Sequence, residues 1–434
     1  MSRPAFSRFG WQERYFKPLV LGLVTLLMYW AAINRSQALP WAIAAMLSAT
    51  LVTGLLWPRW LVGQLSVVRH GPARADENET IVLNVEVINR GFLPRFMIEV
   101  SDVLPFVGLD AGAVNSGEMR LGVATHVPGG GIRKFELPLL CEKRGLYRLG
   151  PVGLVSSFPL GLVEARQSRN DGVQHLTIYP AVFPIATLPL HGAPSQIHRG
   201  GYLLPEGAGA AEFSGLRDYR RGDNPRHIHW PTTARLNALM IKEFEPLASA
   251  CLHVVLDQCV EANVGCGKRA SFEVAIRIAA SIARYACDHN IPTRLIGEGA
   301  DGRSLSIPSG TGGHHYQSIL DELAIVAADG AHSYATVLEK AAVDCHHGET
   351  VVVFLSELPT SLAETLQTLA LLRARGAHLF AVVFERGSFL APGDGGDACS
   401  HEAGTANLMA TLHALGATAL PVCCGDDLVK LFNS

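Results

Sequence analysis

Acidic residues follow two apolar stretches of the chain, in positions where carboxylates can bind a cation. Asp257 comes directly after residues 251–256, and Glu357 follows residues 350–355 and one serine. Both stretches have the continuous apolar character of strands in a buried parallel sheet. Because ligands of such sheets bind beyond the carboxyl ends of the strands, we expect Asp257 and Glu357 to face a common crevice. Together with Glu261, they could hold a divalent ion, which makes a metal-dependent hydrolase one candidate function.

A second set of residues with recognisable chemistry lies between positions 212 and 245. Residues 222–225, Gly-Asp-Asn-Pro, predict a turn, since glycine permits unusual backbone angles and proline fixes the next step. Two interpretations remain open. The segment is either an ion-pair network that docks two domains, or an exposed surface on which Tyr219 and Trp230 anchor a partner. The charged residues concerned are Arg217, Arg220, Arg221, Arg226, Arg235, Asp218, Asp223, Glu243 and Glu245.

Other clusters of histidine, cysteine and glycine lack the spacing that their chemistry requires. The clusters at 314–315, 345–347 and 423–424 do not predict a zinc site, because no Cys-x-x-Cys or His-x-x-x-His pair accompanies them. The glycines at 200–201 and 310–313 are not followed by Lys-Ser or Lys-Thr, which argues against a phosphate-binding loop. No neighbouring base selects one of the nine cysteines as a nucleophile.

The elements that must position these residues change in character near position 250. From there on, apolar strands alternate with helical patterns, including a helix over 269–289 and a strand over 291–296. This alternation predicts a doubly wound α/β domain over 250–434. Residues 66–190 instead contain short strands and turns, and residues 80–89 alternate between apolar and polar side chains. They predict a β-sandwich-like domain.

The first sixty residues are the most apolar part of the chain. Uncharged runs at 18–34 and 36–58 are separated by Arg35, and roughly 20 apolar residues suffice for a helix to cross a membrane. We therefore expect two transmembrane helices within 18–58, after a basic segment over 1–17. A cleaved signal peptide is the main alternative, although a second apolar run follows at once without a clear cleavage site.

Basic residues flank both ends of this predicted hairpin, whereas the loop between its helices holds only Arg35. Positive charges favour the cytoplasmic side of a membrane, so both termini are expected in the cytoplasm. Nine scattered cysteines, an odd number, agree with a reducing compartment. The flanking basic residues are Arg3, Arg8, Arg14 and Lys17 before the first run, and Arg59, Arg69 and Arg74 after the second.

Composition narrows the remaining classes of function. The chain has 434 residues, of which 48% are hydrophobic and 17% are charged, and its mean hydropathy is +0.22. A chain this apolar can fold by burial, which excludes intrinsic disorder, and a charged fraction below about 25% favours a part in lipid. The net charge of −3 gives no support to nucleic-acid binding, because domains of that kind are strongly basic.

Residues 199–249 form a separate predicted segment, and its part between 212 and 245 resembles the signature of the domain of unknown function 58 family. That signature runs roughly Arg-x-Tyr-x-x-Gly-Asp-x-x-Arg-x-Ile-x-Trp-x-x-x-Ala-Arg, followed by a strand that ends in Glu-Phe-Glu. His229 and Pro231 depart from it, since the family commonly has aspartate and often has lysine there. The wider layout is also similar to that of the family, with a membrane hairpin, a β-rich region and a von Willebrand factor A-like domain. The matching positions are Arg217, Tyr219, Gly222, Asp223, Arg226, Ile228, Trp230, Ala234, Arg235, Glu243, Phe244 and Glu245.

The resemblance implies an A-like domain, and such domains often bind Mg²⁺ through Asp-x-Ser-x-Ser, a threonine from a second loop and a later aspartate. Here Cys259 and Glu261 replace the two serines, Ser333 stands in the second loop, and Glu357 replaces the later aspartate. A hard cation prefers oxygen ligands, and a thiol is a poor one. These four residues and Asp257 therefore form a degenerate site. It either retains a divalent cation or recognises a partner by shape and charge.

Together, these features favour a membrane-anchored, non-enzymatic adaptor in the inner membrane of a bacterium. The resemblance implies cooperation with a MoxR-type AAA+ ATPase, a separate chain, in the assembly or maturation of other proteins. We expect no nucleic-acid partner and no cofactor, unless the degenerate site holds a divalent cation. The hydrolase is the alternative. A purely structural membrane protein is a third possibility, in which Arg217→Ala and Asp223→Ala would change stability but no association.

Overall fold

The computed structural model describes residues 11–35, 38–107, 118–169, 173–188, 212–220, 228–236, 238–245, 251–265, 267–300, 304–357, 362–390 and 398–433. The chain divides into two compact units, Met1–Tyr179 and Pro180–Ser434. Long helices and short strands form the first unit, and a mixed α/β sheet with its helices dominates the second.

Two long apolar helices begin the first unit. Helix α1 spans Trp11–Arg35 and helix α2 spans Ala38–Val62. The segments Phe16–Asn34 and Ala38–Val62 have mean hydropathies of 1.7 and 1.8, and both are long and apolar enough to cross a membrane. Both helices also expose large apolar side chains, such as Leu26 at 66% and Met46 at 70%. The prediction of two apolar spans is therefore confirmed at the level of length and composition.

Polar side chains within these helices find partners on the helices themselves. Thr25 Oγ1 donates to the Leu21 carbonyl oxygen at 2.7 Å, and Ser48 Oγ donates to the Ala44 carbonyl oxygen at 2.7 Å. The hydroxyl groups of Tyr29 and Ser48, 2.9 Å apart, join α1 to α2. Unpaired polar groups are costly in lipid, so this internal pairing suits an apolar environment.

Short strands make up the rest of the first unit, and in the described residues they form three sheets around one core. Strands β1 to β10 are Leu65–His70, Arg74–Asp76, Thr80–Asn89, Arg95–Val103, Glu118–Val127, Ile132–Leu140, Gly145–Leu149, Val152–Ser156, Ala165–Arg169 and Gln174–Tyr179. The sheet orders are β1-β3-β6, β2-β10-β7 and β5-β4-β8-β9. Alternate residues of β3 are buried, as the pattern over 80–89 predicts. The β-sandwich-like fold expected for 66–190 stays a prediction, and the last strand of this unit ends at Tyr179.

An ion pair lies inside the core of this unit. Arg69 on β1 donates to Asp102 on β4, and the two side chains are 0% and 1% exposed. Burial raises the pKa of Asp102, although the positive charge of Arg69 opposes this shift. Two further nitrogen atoms of Arg69, Nε and Nη1, have no hydrogen-bond partner in the described part of the chain. Each of the two charges therefore depends on the other for compensation.

The carboxyl end of α2 packs onto the strands of the same unit. The guanidinium of Arg95 lies 3.9 Å from the ring centroid of Trp60 and also donates to the Trp60 carbonyl oxygen. Gly54 lies against the side chain of Leu162, where a Cβ atom would collide with it. These contacts fix the end of α2 relative to the strands that follow it.

A small hairpin comes first in the described part of the second unit. Strand β11 (Glu212–Asp218) pairs antiparallel with β12 (Met240–Glu245), and the short helix α3 (Trp230–Leu236) lies between them in the sequence. Residue 217 pairs with residue 241 in this hairpin, and residue 213 with residue 244. The hairpin thus contains most of the segment that resembles the family signature.

A six-stranded sheet dominates the second unit. Its strand order is β15-β14-β13-β16-β17-β18, and all neighbours are parallel except β14 and β15. The chain therefore builds the sheet outward from β13 in one direction and then returns to add β16 on its other side. Strands β13 to β18 are Leu252–Val255, Thr293–Glu298, Ser304–Gly310, Thr350–Ser356, His378–Phe384 and Thr418–Val422.

Helices cover both faces of this sheet. They are α4 to α10, namely Ser271–Asp288, Gly313–Ile325, Tyr334–Val343, Leu362–Ala374, Arg386–Phe389, Ala398–Ala414 and Leu428–Phe432, with a short 3-10 helix at Gly267–Arg269. Buried side chains of α6, α7 and α9 share one cluster with Leu379 and Ala381 of β17. Phe380, which lies between these two residues and points to the other face, meets Phe432 of α10 with ring centroids 6.3 Å apart. A mixed α/β sheet is thus confirmed for residues after 250.

Candidate functional site

The signature residues that the structure describes fall on the hairpin, on α3 and on the residues beside them. Arg217 lies in β11, and Glu243 and Phe244 lie in β12. Tyr219 is the first residue after β11, and Trp230 is the first residue of α3. Three predicted site residues lie outside the described part of the chain: Gly222, Asp223 and Arg226.

Backbone hydrogen bonds close the hairpin around α3. Tyr219 N–H donates to the Leu239 carbonyl oxygen at 2.8 Å, and His229 N–H donates to the Met240 carbonyl oxygen at 2.9 Å. The N–H of Met240 donates in turn to Thr233 Oγ1 at 3.0 Å. The short helix is therefore tied to β12 at both its start and its middle.

The two departures from the family pattern lie at the start of α3. His229 directly precedes the helix, and its Nδ1 atom is 2.7 Å from Thr232 Oγ1. Its carbonyl oxygen accepts the N–H groups of Thr232 and Thr233. An aspartate would also hydrogen-bond the first turn from this position, where it is a favoured residue. Pro231 lies within the first turn, where its missing N–H costs no helical hydrogen bond. Both departures preserve the local helix.

The α3 helix presents apolar side chains to the surface. None of its described residues is buried, and Trp230 is 64% exposed. Leu236 and Leu239 are 59% and 46% exposed, and Arg235 is also exposed. Tyr219, by contrast, is half-buried. Exposed indole rings with neighbouring leucine and arginine side chains are typical anchors of protein–protein contacts.

A second candidate site lies at the carboxyl ends of β13 and β16. Asp257 follows β13 by two residues, and Glu357 follows β16 directly. The hydroxyl of Tyr334, the first residue of α6, donates to the last carbonyl oxygen of β13 at 2.7 Å and accepts a backbone N–H of β16 at 3.2 Å. Ser333 immediately precedes Tyr334, and its loop pairs with the loop of Asp257, where the N–H of Val260 donates to the Gly330 carbonyl oxygen at 3.1 Å.

Hydrogen bonds order the loop that begins with Asp257. Its Oδ1 atom accepts the N–H of Cys259 at 3.0 Å. Asn263 Nδ2 donates to the carbonyl oxygens of Asp257 and Cys259 at 3.0 and 2.8 Å. Burial raises the pKa of Asp257 to about 7, although the hydrogen bond from Cys259 lowers it. Glu261 is exposed, so the carboxylate that the loop keeps inside the crevice is Asp257.

Two oxygen atoms of this crevice have no hydrogen-bond partner among the described residues, Ser333 Oγ and Glu357 Oε2, and both are shielded from water. His401 Nδ1 lies 3.5 Å from Glu357 Oε2, and Gly404 approaches the same carboxylate so closely that a Cβ atom there would collide with it. Sequence reasoning missed both α9 residues, because nothing in their spacing links them to β16. Unsatisfied buried oxygen atoms are costly, and a cation can satisfy them.

The donor set fits a hard cation only in part. Asp257, Ser333 and Glu357 offer oxygen, whereas Cys259 offers a soft thiol. Within the described part of the chain, the carboxylates and the thiol form no group of three whose ligand atoms all lie within 4.8 Å of one another. The degenerate metal site therefore stays a prediction.

The raised pKa of Asp257 has a consequence for stability. Because its value of about 7 lies above the ordinary 3.8, the folded chain holds this proton where the unfolded chain has already lost it. Stability therefore falls as the pH rises from about 4 to about 7, by up to about 4 kcal/mol, and stays lower above that range. We expect Asp257→Asn to remove this cost and to be more stable than the wild type at a pH of about 8.

Thermal unfolding of both full chains at pH values of about 5 and about 8 measures this difference. The exposed carboxyl of Glu261, on the same loop, provides a matched control, and Glu261→Gln should unfold like the wild type at both pH values. A difference between Asp257→Asn and the wild type that does not grow with pH would contradict the expectation.

These features define a chain with two apolar amino-terminal helices, a strand-rich region and a mixed α/β sheet in which Asp257 and Glu357 follow two neighbouring parallel strands. Residues 215–389 match the family model described as Protein of unknown function DUF58, a segment that contains Trp230, Asp257 and Glu357. The match supports the resemblance that the signature residues carry. No curated protein matches the chain.

Solved structures resemble this chain only weakly. The CARDB domain of a Pyrococcus furiosus protein, crystallised in complex with di-metal ions, is 16% identical, with 26% of this chain and 91% of that one covered and a TM-score of 0.19. The GH20 exo-β-N-acetylglucosaminidase of Vibrio harveyi is 8% identical, with 83% of this chain and 76% of that one covered and a TM-score of 0.21. The superoxide reductase of Ignicoccus hospitalis is 17% identical, with 26% of this chain and 80% of that one covered and a TM-score of 0.16. TM-scores this low carry no argument about fold or function.

Proposed function

We propose that this protein is a membrane-anchored, non-enzymatic adaptor that binds other proteins at the cytoplasmic face of a bacterial inner membrane. The observation that carries the proposal is the exposure of Trp230 at the start of α3, within the family-matched segment. Backbone hydrogen bonds hold this helix in place while its indole ring faces outward. A partner that covers the ring therefore gains apolar contact without first having to order the helix.

The two amino-terminal helices support the anchoring part of the proposal. The segment Phe16–Asn34 has 19 residues, which extend about 28 Å as a helix, close to the hydrocarbon thickness of a bilayer. The basic residues that flank both helices support a cytoplasmic location of the two termini by the positive-inside rule. The contacts between the end of α2 and the strands of the first unit would then hold that unit at the membrane surface.

The sheet of the second unit supports a von Willebrand A-like doubly wound fold. Its order reverses between β13 and β16, one edge strand is antiparallel, and helices pack on both faces. Ligands of such sheets bind where the order reverses, and this is the edge at which Asp257 and Glu357 lie. Either an ion or an acidic, ion-free surface at this point would serve partner recognition.

A MoxR-type AAA+ ATPase is the partner that the family resemblance implies, in the assembly or maturation of other proteins. Titration of the purified ATPase onto the full chain in lipid nanodiscs, with and without ATP, tests this partnership. We expect saturable binding in at least one of the two nucleotide conditions. Absence of binding in both would overturn it.

A metal-dependent hydrolase is the second candidate, and it is favoured by the buried oxygen atoms of Ser333 and Glu357 that accept no hydrogen bond from the described residues. Calorimetric titration of the full chain with Mg²⁺, Mn²⁺ and Ca²⁺ separates the two candidates. Binding heat that Asp257→Asn abolishes and Glu339→Gln, which alters an exposed carboxyl of α6, preserves would support a cation in the crevice. A flat response for all three ions removes the hydrolase.

A further inference from the structure

A second cluster of metal-ligating side chains lies at the opposite end of the central strands of the same sheet, where these strands begin. Cys251 directly precedes β13, His253 is the second residue of that strand, and Glu349 directly precedes β16. The two strands are parallel neighbours, with Leu252 opposite Thr350. The N–H of Thr350 donates to the Cys251 carbonyl oxygen at 3.0 Å. Backbone pairing therefore sets the distance between the three side chains.

The three side chains converge on one point. One ligand atom of each lies within 4.8 Å of those of the other two. The Nε2 atom of His253 is 2.8 Å from Glu349 Oε2. For comparison, ligand atoms around a tetrahedral zinc ion, bound at 2.0–2.3 Å, lie roughly 3.3–3.8 Å apart. Small side-chain rotations would bring the cluster to that geometry.

The three side chains of the cluster are mostly buried, and a backbone hydrogen bond orients the carboxylate. His253 is 2% exposed and Cys251 is 8% exposed, and the side chain of Glu349 is 12% exposed. The second ring nitrogen of His253, Nδ1, has no hydrogen-bond partner in the described residues. Glu349 Oε2 also accepts the N–H of His346 at 2.6 Å, which orients the carboxylate. The cluster is therefore largely shielded from water, and its carboxylate is held by its contacts with His253 and His346.

The chemistry of the donors selects the class of ion. A thiolate, an imidazole and a carboxylate are the ligands of zinc and related transition metals, whereas Mg²⁺ and Ca²⁺ prefer oxygen ligands alone. Further donor side chains lie on the neighbouring loop: Cys345, whose thiol donates to the His346 carbonyl oxygen at 3.8 Å, and His346, whose Nδ1 lies 3.7 Å from Glu349 Oε2. The side chain of His346 is 82% exposed, so an ion can reach the cluster from solvent.

We propose that Cys251, His253 and Glu349 bind a transition-metal ion of the zinc class, and that this ion ties β13 to β16. On binding, the Cys251 thiol releases its proton to solvent and the sulfur coordinates the ion. The site is structural: it stabilises the two central strands at their amino-terminal ends, opposite the ends that Asp257 and Glu357 follow. It is independent of the proposed partner and of the crevice.

Cobalt substitution and metal analysis of the full chain in detergent test this site. After equilibration with Zn²⁺ and removal of loose metal, the wild type should retain about one ion per chain. With Co²⁺, it should show the charge-transfer absorption of a thiolate–metal bond. Cys251→Ser and His253→Gln should lower the affinity by about tenfold to 100-fold or more, and Cys251→Ser should remove the thiolate absorption.

Two controls separate the site from other thiols and histidines. Cys287→Ser alters a half-buried cysteine of α4, and His314→Gln alters an exposed histidine of α5, so both should bind zinc as the wild type does. Retention of the ion by Cys251→Ser and His253→Gln would overturn the proposal. Because a substitution at a buried position can prevent folding, the unaltered chain is a test by itself. If it retains no zinc and shows no thiolate absorption with Co²⁺, His253 and Glu349 form a hydrogen-bonded pair without a metal.

Discussion

Replacing Trp230 by alanine is expected to weaken binding of the proposed partner, a MoxR-type ATPase, about 30-fold or more. Truncation of a central aromatic anchor costs 2 kcal/mol or more in typical interfaces, and each factor of ten in affinity corresponds to about 1.4 kcal/mol. The ring is 64% exposed in the free chain, so its removal leaves little unfilled space inside the protein. The loss should therefore appear in the dissociation constant and not in the unfolding temperature.

A second variant and a matched control sharpen this expectation. Leu236, on the same helix, is 59% exposed, and Leu371 on α7 is 61% exposed. We expect Leu236→Ala to weaken binding by a smaller factor and Leu371→Ala to leave it unchanged. Equal binding by the wild type and Trp230→Ala would mean that α3 is not the contact surface. A lower unfolding temperature of Trp230→Ala would assign the ring to stability instead.

Removal of the Asp102 carboxylate is expected to destabilise the first unit by about 3–5 kcal/mol. Arg69 and Asp102 are fully buried, and the desolvation cost of the guanidinium is offset largely by this one carboxylate. Asp102→Ala leaves a buried positive charge with two unpartnered nitrogen atoms in the described structure and a third newly freed. The cost should appear as faster hydrogen exchange in β1 and β4, measured on the full chain in detergent.

The same strand carries a control for this prediction. Glu99, also on β4, pairs with Arg120, whose side chain is 65% exposed. Exposed pairs contribute about 0–1 kcal/mol, so Glu99→Ala should leave the exchange of β1 and β4 nearly unchanged. The double variant Arg69→Met with Asp102→Leu should recover most of the stability, since it removes both charges together. A similar small effect of Asp102→Ala and Glu99→Ala would contradict the account of a buried pair.

Burial explains which strands the sequence predicts well. Residues 351–355 read as a strand because every side chain is apolar, and β16 is buried along almost its whole length in the centre of the sheet. The edge strand β15 has the sequence Ser-Leu-Ser-Ile-Pro-Ser-Gly and gives no comparable signal. An edge strand is covered on fewer sides, so fewer of its side chains are buried and fewer of them have to be apolar.

The residues of the candidate sites also differ in whether the sequence alone could predict them. Asp257 and Glu357 could be predicted because the ends of parallel strands meet at one edge of the sheet. His401 and Gly404, which lie beside Glu357, could not, since α9 reaches the crevice from a distant part of the sequence. His253 and Glu349 are 96 positions apart and meet only through the register of β13 and β16. Metal-site spacing rules apply to ligands on one short segment, and they fail for ligands on adjacent strands.

Vesicle flotation tests most directly whether two apolar helices hold a protein-binding body at the membrane. The full chain is reconstituted into lipid vesicles, incubated with the purified ATPase and centrifuged through a density gradient. We predict that the ATPase rises with vesicles that contain the wild type, and stays behind with empty vesicles or with Trp230→Ala. An ATPase that never rises with the wild-type vesicles, or a chain that leaves the lipid without detergent, would contradict the proposed function.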